Sequence, residues 1–309
     1  MSKVLRVAYF GLPLGACLLR ADGHELGLCV LSPIDAPGRR RIGRLLGERV
    51  IDALGASGEL DGVIERALRR TSFDLLVSWF WTRRLPARWL ALPAHGGIGA
   101  HPSLLPRHRG PNPYFWAIDS GDAETGVSIH RLTPEYDDGD VLLQARLSVG
   151  ERNSWQLARA LDRPALALLR RAVKLYTQGG APAAEPQDEA VATWAPEPDG
   201  DLLRADFSWP AERVLRRLRA LSPVPGLALE IRGLAFFATR ARVSDDFPRA
   251  LLPGEAAVTP QGTVVIRCAD RGIAIERAVA GEASRGAVAE GTELDERTLG
   301  RLVSSVPEA

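Results

Sequence analysis

Three short apolar runs, separated by stretches with helical spacing, constrain this chain most. Leu5 to Phe10, Glu25 to Leu31 and Leu75 to Trp81 are rich in aliphatic, β-branched and aromatic residues. The third is apolar without alternation, as a strand is when both faces of its sheet are covered. Between the runs, Leu60, Val63, Ile64 and Leu68 fall on one side of a helix over residues 60–70. Strands that alternate with helices predict a doubly wound, mostly parallel α/β sheet. Ligands of such sheets bind beyond the C-terminal strand ends. A fourth short strand, Gly97 to Ala100, leads to that position. The loop after it reads His101-Pro102-Ser103-Leu104-Leu105-Pro106-Arg107-His108-Arg109-Gly110. Two prolines and a glycine exclude an ordinary helix or a central strand there, and shaped loops carrying a His are where chemistry tends to sit.

Gly126 to Leu132 and Val141 to Leu147 read as later strands, joined by the acidic turn Tyr136-Asp137-Asp138-Gly139-Asp140. Ser154 to Thr177 reads as a helix with Ser154 as its N-cap and Pro164 breaking or kinking it. Gly179 to Gly200, rich in Gly, Pro, Ala and acids, reads as a linker. Beyond it, Ala211 to Leu221 is a basic amphipathic helix. The short β-prone runs Leu227–Ile231, Leu234–Thr239, Thr263–Arg267 and Gly272–Arg277 then suggest a small β-barrel-like module. The expected organisation is a catalytic domain over residues 1–180, a linker over 181–200 and a smaller C-terminal domain over 201–309.

Function classes narrow on composition. A net charge of +1 over 309 residues gives no global field for nucleic acid or membrane. Residues 4–19 are apolar but interrupted by Arg6, Gly11, Pro13 and Gly15, so they read as strand, turn and helix rather than a signal peptide. Cys17, Cys29 and Cys268 lie far apart and form no Cys-x-x-Cys pair, which argues against a disulfide framework or a zinc site. The expected location is a reducing cytoplasm. His95, His108 and His130 lack metal-site spacing and read as loop or strand side chains.

Taken in order, the motifs resemble the folate-dependent formyltransferases, and among them the methionyl-tRNA formyltransferases over nearly the whole chain. The resemblance rests on the His101 loop and on Gly11-Leu12-Pro13, the basic stretch Pro33 to Arg41, and Asp122-Ala123-Glu124-Thr125-Gly126-Val127. It continues through Pro186-Gln187-Asp188-Glu189, Ala192-Thr193-Trp194-Ala195-Pro196 and Ser222-Pro223-Val224-Pro225-Gly226. It implies a Rossmann variant that moves a formyl group from 10-formyltetrahydrofolate to a primary amine, in one-carbon metabolism and protein biosynthesis, with no metal required. His101 is implied as the donor to the developing oxyanion and the proton relay. Asp137 is implied as its orienting carboxylate, raising its pKa. Ser103, Leu104 and Arg109 are implied to shape the loop, and Trp81, Arg83, Leu85 and Asp138 to meet the folate.

Gly99 departs from the family pattern, which places Asn two residues before the His. Three readings stand: another group, Asn112, a backbone N–H or a water, replaces the amide; the chemistry is altered or slow; or the chain is a non-catalytic binder of folate or amine. The acceptor is equally open. Initiator methionyl-tRNA would meet the basic loop Arg39-Arg40-Arg41, continuing to Arg44, and Arg213, Arg216, Arg217 and Arg219. A small amine, such as an amino sugar or a biosynthetic intermediate, is the alternative; Glu197, where the tRNA enzymes usually carry Lys, weakens the tRNA reading.

Overall fold

The computed structural model describes residues 3–56, 58–281 and 289–306. The chain divides into two compact units. One comprises Met1–Pro113, Thr125–Ser148 and Ala160–Ala195; the other comprises Tyr114–Glu124, Val149–Arg159 and Pro196–Ala309.

The first unit is built on a seven-stranded sheet of β1 (Arg6–Gly11), β2 (Glu25–Leu31), β3 (Val50–Asp52), β4 (Leu75–Trp79), β5 (Gly97–His101), β6 (Glu124–Arg131) and β7 (Val141–Ser148). Its order is β3-β2-β1-β4-β5-β6-β7. Winding proceeds outward in both directions from β1, as the alternation of strands and helices requires. β1, β2, β3, β4 and β5 pair in parallel, and β6 runs antiparallel to β5. Every residue of β4 is buried, which explains its unbroken apolar run. Along the chain the helices that punctuate the strands are α1 (Pro13–Ala21), α2 (Arg39–Leu46), α3 (Leu60–Arg69), α4 (Ala87–Leu90), α5 (Pro113–Asp119) and α6 (Ser154–Tyr176), of which α5 after Pro113 and α6 up to Arg159 count with the second unit. Phe10, Val30, Ile64, Leu68, Leu76 and Trp89 form one buried core cluster. At the end of β1, Gly11 has φ +146°, and a Cβ there would overlap the Trp79 carbonyl oxygen. Only glycine fits a backbone approach this close.

Three local expectations are corrected. Of the two readings of Pro164, the break is the one corrected: α6 continues through it for 23 residues. Proline forfeits one backbone bond there, and the buried face of Leu161, Leu169, Ala172, Val173 and Tyr176 holds the helix together. The N-cap is Asn153, not Ser154. Asn153 Oδ1 accepts from Gln156 N at 2.8 Å, and Gln156 Oε1 accepts from Asn153 N at 3.1 Å, a reciprocal capping box. Ser154 instead donates to the Ala220 carbonyl. Finally, Arg39 to Arg44 lie on the helix α2 rather than in a loop. Arg39 is committed to Asp52 and to the carbonyls of Ser32 and Ile34, whereas Arg40, Arg41 and Arg44 are exposed.

The second unit carries a smaller, curled antiparallel sheet. Its strands are β8 (Leu227–Ile231), β9 (Leu234–Ser244), β10 (Ala256–Val258), β11 (Val264–Arg267), β12 (Gly272–Ala280) and β13 (Glu293–Asp295). The order is β10-β11-β12-β9-β8, with β13 on β12. The register of β9 on β12 shifts between Ile275 and Ala278, and a bulge of this kind bends a sheet. Leu227, Leu229 and Ile231 alternate inward along β8, while Glu230 points out. The unit also holds α7 (Ala211–Leu221) and α8 (Glu296–Ser304). On α7 the arginines expected to meet phosphate mostly turn inward. Arg217 reaches Asp119 at 2.7 and 3.0 Å, and Arg213 reaches it at 2.7 and 2.9 Å. Arg219 pairs with Glu151. Among the described residues, no helix is long and apolar enough to cross a membrane.

Candidate active site

The antiparallel register of β5 on β6 sets Gly99 opposite His130 and His101 opposite Ser128. Side chains two apart on a strand share a face, and directly opposed residues are neighbours. Gly99 and His101 therefore share one patch of sheet with His130 and Ser128. The His101 ring is buried, with Nδ1 3.4 Å from Asp137 Oδ2. Its Nε2–H donates to the His108 carbonyl at 2.7 Å. His130 is buried too, with Nε2 3.4 Å from Asp137 Oδ1 and Nδ1–H donating to the Arg131 carbonyl at 2.9 Å. The two imidazoles stand 6.4 Å apart at 85°. Gly110 N–H completes the cluster, donating to Asp137 Oδ2 at 2.9 Å. One carboxylate thus gathers groups from β5, β6 and the far end of the His101 loop.

Side-chain bonds hold the loop in shape. Ser103 Oγ donates to the Arg107 carbonyl at 2.6 Å. Ser128 Oγ accepts from Leu105 N at 3.0 Å and Gln144 Nε2 at 2.9 Å, and donates to the Ser103 carbonyl at 2.7 Å. Leu104 lies against β6 at Gly126, where a Cβ would come within 2.6 Å of Leu104 Cδ2. Residues of the stretch read as a linker stitch the other side. Arg109 N donates to Thr193 O at 2.8 Å, Ala195 N to Arg109 O at 2.7 Å and Asn112 N to Ala195 O at 3.0 Å. The Arg109 side chain reaches Gln187 at 3.0 Å and Glu189 at 2.7 Å. Gln187 in turn donates to the carbonyls of Asp137 and Gly139 at 2.8 and 2.7 Å. His108 and Asp137 adopt φ of +60° and +55°. Such backbone costs about 1–2 kcal/mol per non-glycine residue, and these bonds offset it.

The residues expected to meet folate are placed less uniformly. Leu85 is buried in the core cluster, and Trp81 packs against it with its ring edge-on to Phe10 at 5.3 Å. Trp81 Nε1 is buried and has no hydrogen-bond partner among the described residues. Arg83 pairs with Asp61 at 2.8 Å and lines a cavity of about 260 Å³ with Pro33, Ala53, Ala56, Gly58 and Leu60. Asp138 accepts from the Thr133 hydroxyl. Arg84, whose purpose was not legible in sequence, ties this segment to the acidic turn. It donates to Pro134 O at 2.7 and 3.1 Å, pairs with Glu135 and lies over the Tyr136 ring at 5.5 Å.

Electrostatics correct one expectation. Burial lowers the His101 pKa; Asp137 and the His108 carbonyl oppose that, and His130 adds to it. The net shift is down rather than up, because desolvation of the cation outweighs one carboxylate. Burial pushes the Asp137 carboxyl upward, but His101, His130 and the Gly110 N–H outweigh it and hold the group well below the usual carboxylate range. The site therefore pairs a fixed anion with an imidazole that gives up its proton readily, as a proton relay near neutral pH requires. Reading the sequence alone missed His130, Ser128, Gln187 and Arg84 as parts of this constellation. Only strand register would have revealed the first two, since the β5 residues that they face lie well back along the chain.

Relatives carry the same two-part pattern. The family profile described as formyl transferase matches residues 43–172, and that of the formyl transferase C-terminal domain matches residues 202–285. The methionyl-tRNA formyltransferase of Anaeromyxobacter dehalogenans is 34% identical over 279 residues, covering 85% of this chain and 88% of its own. That of Methylibium petroleiphilum is 34% identical over 268 residues, covering 86% and 78%. Among solved structures, HypX from Aquifex aeolicus, in complex with tetrahydrofolic acid, has a TM-score of 0.68 at 20% identity. The alignment covers 99% of this chain and 49% of HypX, so this chain spans about half of that protein. An N-formyltransferase from Helicobacter canadensis has a TM-score of 0.65 at 11% identity, covering 88% of this chain and 99% of that one. These two share the fold. On the strength of the sequence matches along both units, the chain belongs to the formyl transferase family.

Proposed function

We propose that the protein transfers a formyl group from 10-formyltetrahydrofolate to the primary amine of methionyl-tRNA. The observation that carries this is the buried His101–Asp137 pair at the end of β5, 3.4 Å apart, with the Gly110 N–H on the same carboxylate. In such a transfer the amine nitrogen bonds to the formyl carbon, negative charge gathers on the formyl oxygen, and the bond to the folate nitrogen breaks. The amine must lose a proton and the folate nitrogen must gain one. His101 would carry that proton, and Asp137 would set its orientation. Trp81 Nε1, without a partner among the described residues, and the segment Trp81 to Leu85 fit a donor that brings hydrogen-bonding ring atoms. Catalysis would belong to residues 1–180 and acceptor positioning to residues 201–309, with residues 181–200 also bracing the His101 loop. Similarity to methionyl-tRNA formyltransferases and the exposed Arg40, Arg41 and Arg44 support tRNA as acceptor.

A small amine is the second reading. Arg213, Arg217 and Arg219 are spent on Asp119 and Glu151, which leaves α7 with less cationic surface for phosphates. The test is formyl transfer from 10-formyltetrahydrofolate to methionyl-tRNA and, separately, to an amino-sugar nucleotide, with wild type and His101→Ala. Transfer to the tRNA that falls with His101→Ala supports the first reading. Transfer to the sugar alone replaces it with the second, and transfer to neither rejects both.

A further inference from the structure

We propose that His130 is the second donor of the active site, supplying from β6 the N–H that Gly99 cannot supply from β5; this rests on the formyl-transfer reading above. The argument begins with what His101 has left to give. Its Nε2–H is already bonded to the His108 carbonyl, and its Nδ1 faces Asp137. One imidazole so committed cannot both steady the formyl oxygen and take the proton of the amine. His130 duplicates it on the other oxygen of the same carboxylate. A buried polar side chain of this kind is not needed to fill a strand position, where an aliphatic residue would pack without desolvation cost.

On the opposing strand, no side chain stands between His130 and Leu132. A Cβ on Gly99 would lie 2.9 Å from Leu132 Cδ2 and 3.4 Å from His130 Nε2. Any side chain there, alanine included, would press on Leu132 and lie against that nitrogen. Glycine adds no side chain at the position paired in register with the imidazole, so the nearest neighbour there is the flexible end of Leu132, which can move aside. At 3.4 Å, the contact of Nε2 with Asp137 is longer than the roughly 2.7–2.9 Å of a closed charge-assisted bond. Because Nδ1–H is given to the Arg131 carbonyl, Nε2 carries a hydrogen when the ring holds a second proton, and that N–H is then only partly engaged and can be shared with an oxygen placed beside Gly99. Two imidazoles face the two oxygens of one carboxylate, so one ring can take a proton while the other donates. As the amine nitrogen bonds to carbon, its proton passes to one ring while the other donates to the oxygen. As the carbon–nitrogen bond to folate breaks, the proton passes on to the folate nitrogen.

The test uses the full-length protein, 10-formyltetrahydrofolate and whichever acceptor the wild type formylates. His130→Ala is expected to lower kcat about 10²–10³-fold, the usual effect of losing one such donor, with KM for the folate little changed. His130→Gln, which restores an amide N–H from the same strand, recovers at least about tenfold of that loss. Gly99→Asn recovers activity on the His130→Ala background, where the ring no longer blocks it, but lowers activity on the wild-type background. This sign reversal measures coupling between the two positions. Unchanged affinity for 5-formyltetrahydrofolate shows that each variant is folded. Activity of His130→Ala within about threefold of wild type, or rescue by neither amide, overturns the inference and leaves formyl transfer standing. A wild type that transfers no formyl group overturns both.

Discussion

Two carboxylates in this protein are each gripped by two basic side chains, and the grips differ in kind. Asp119 accepts four bonds of 2.7–3.0 Å from Arg213 and Arg217. Asp137 faces His101 and His130 at 3.4 Å each. A guanidinium is planar, matches a carboxylate with a rigid fork and never releases its proton. Imidazole changes charge near neutral pH. The first arrangement is a latch that keeps its charges throughout the neutral range. The second is slack and titratable, so it can pass a proton on. Two bases around a buried acid do not by themselves mark a site; their acidity and the looseness of the fit do.

That contrast can be broken first at the chemistry. His101→Ala should lower formyl transfer by about 10²–10⁴-fold in steady-state assays, while its thermal unfolding stays close to wild type. Asp119→Ala should do the reverse. Removing one partner of a buried ion pair costs about 3–5 kcal/mol, measured as a lower urea midpoint, and leaves the activity per folded molecule unchanged. A large loss of kcat in Asp119→Ala would mean that the latch is part of the machinery.

Acid should then separate the two clusters. His101 has a lowered pKa in the folded protein, so below the ordinary imidazole value of about 6.5 the unfolded chain binds a proton that the folded chain refuses. Stability falls as pH drops through that range. Asp137 and Asp119 are held below the ordinary carboxylate value, so their contribution is present above about pH 4 and is lost on further acidification. Urea midpoints between pH 8 and 3 should show two steps. His101→Gln should flatten the upper one and Asp119→Asn should reduce only the lower one. The smallest effect is expected from Gly99→Asn alone, a fewfold loss of kcat, because its side chain must displace Leu132 and His130.

Much of the fold was legible because its signals are local. The run Leu75 to Trp79, the helix Ala211–Leu221 and the strand Leu227–Ile231 emerge from apolar periodicity, and the His101 loop from its prolines. The strands β3, β10 and β13 have three residues each, too few for any period to declare itself. Pro164 misled because helix propensity is a local quantity, whereas the face that rescues α6 is buried by distant residues. The arginines of α7 looked available because their acidic partners, Asp119 and Glu151, lie about seventy to a hundred residues earlier.

Sequence alone determined the alternating α/β sheet and a second module of short strands, and its motifs singled out His101 and Asp137. Tertiary structure decided who stands beside them. A one-residue slip of β6 on β5 would turn His130 to the other face of the sheet, so its place opposite Gly99 is a property of register and not of spacing along the chain. Whether His101 holds or releases its proton was likewise decided by burial. That depends on water excluded by the whole fold, which no short stretch of residues encodes.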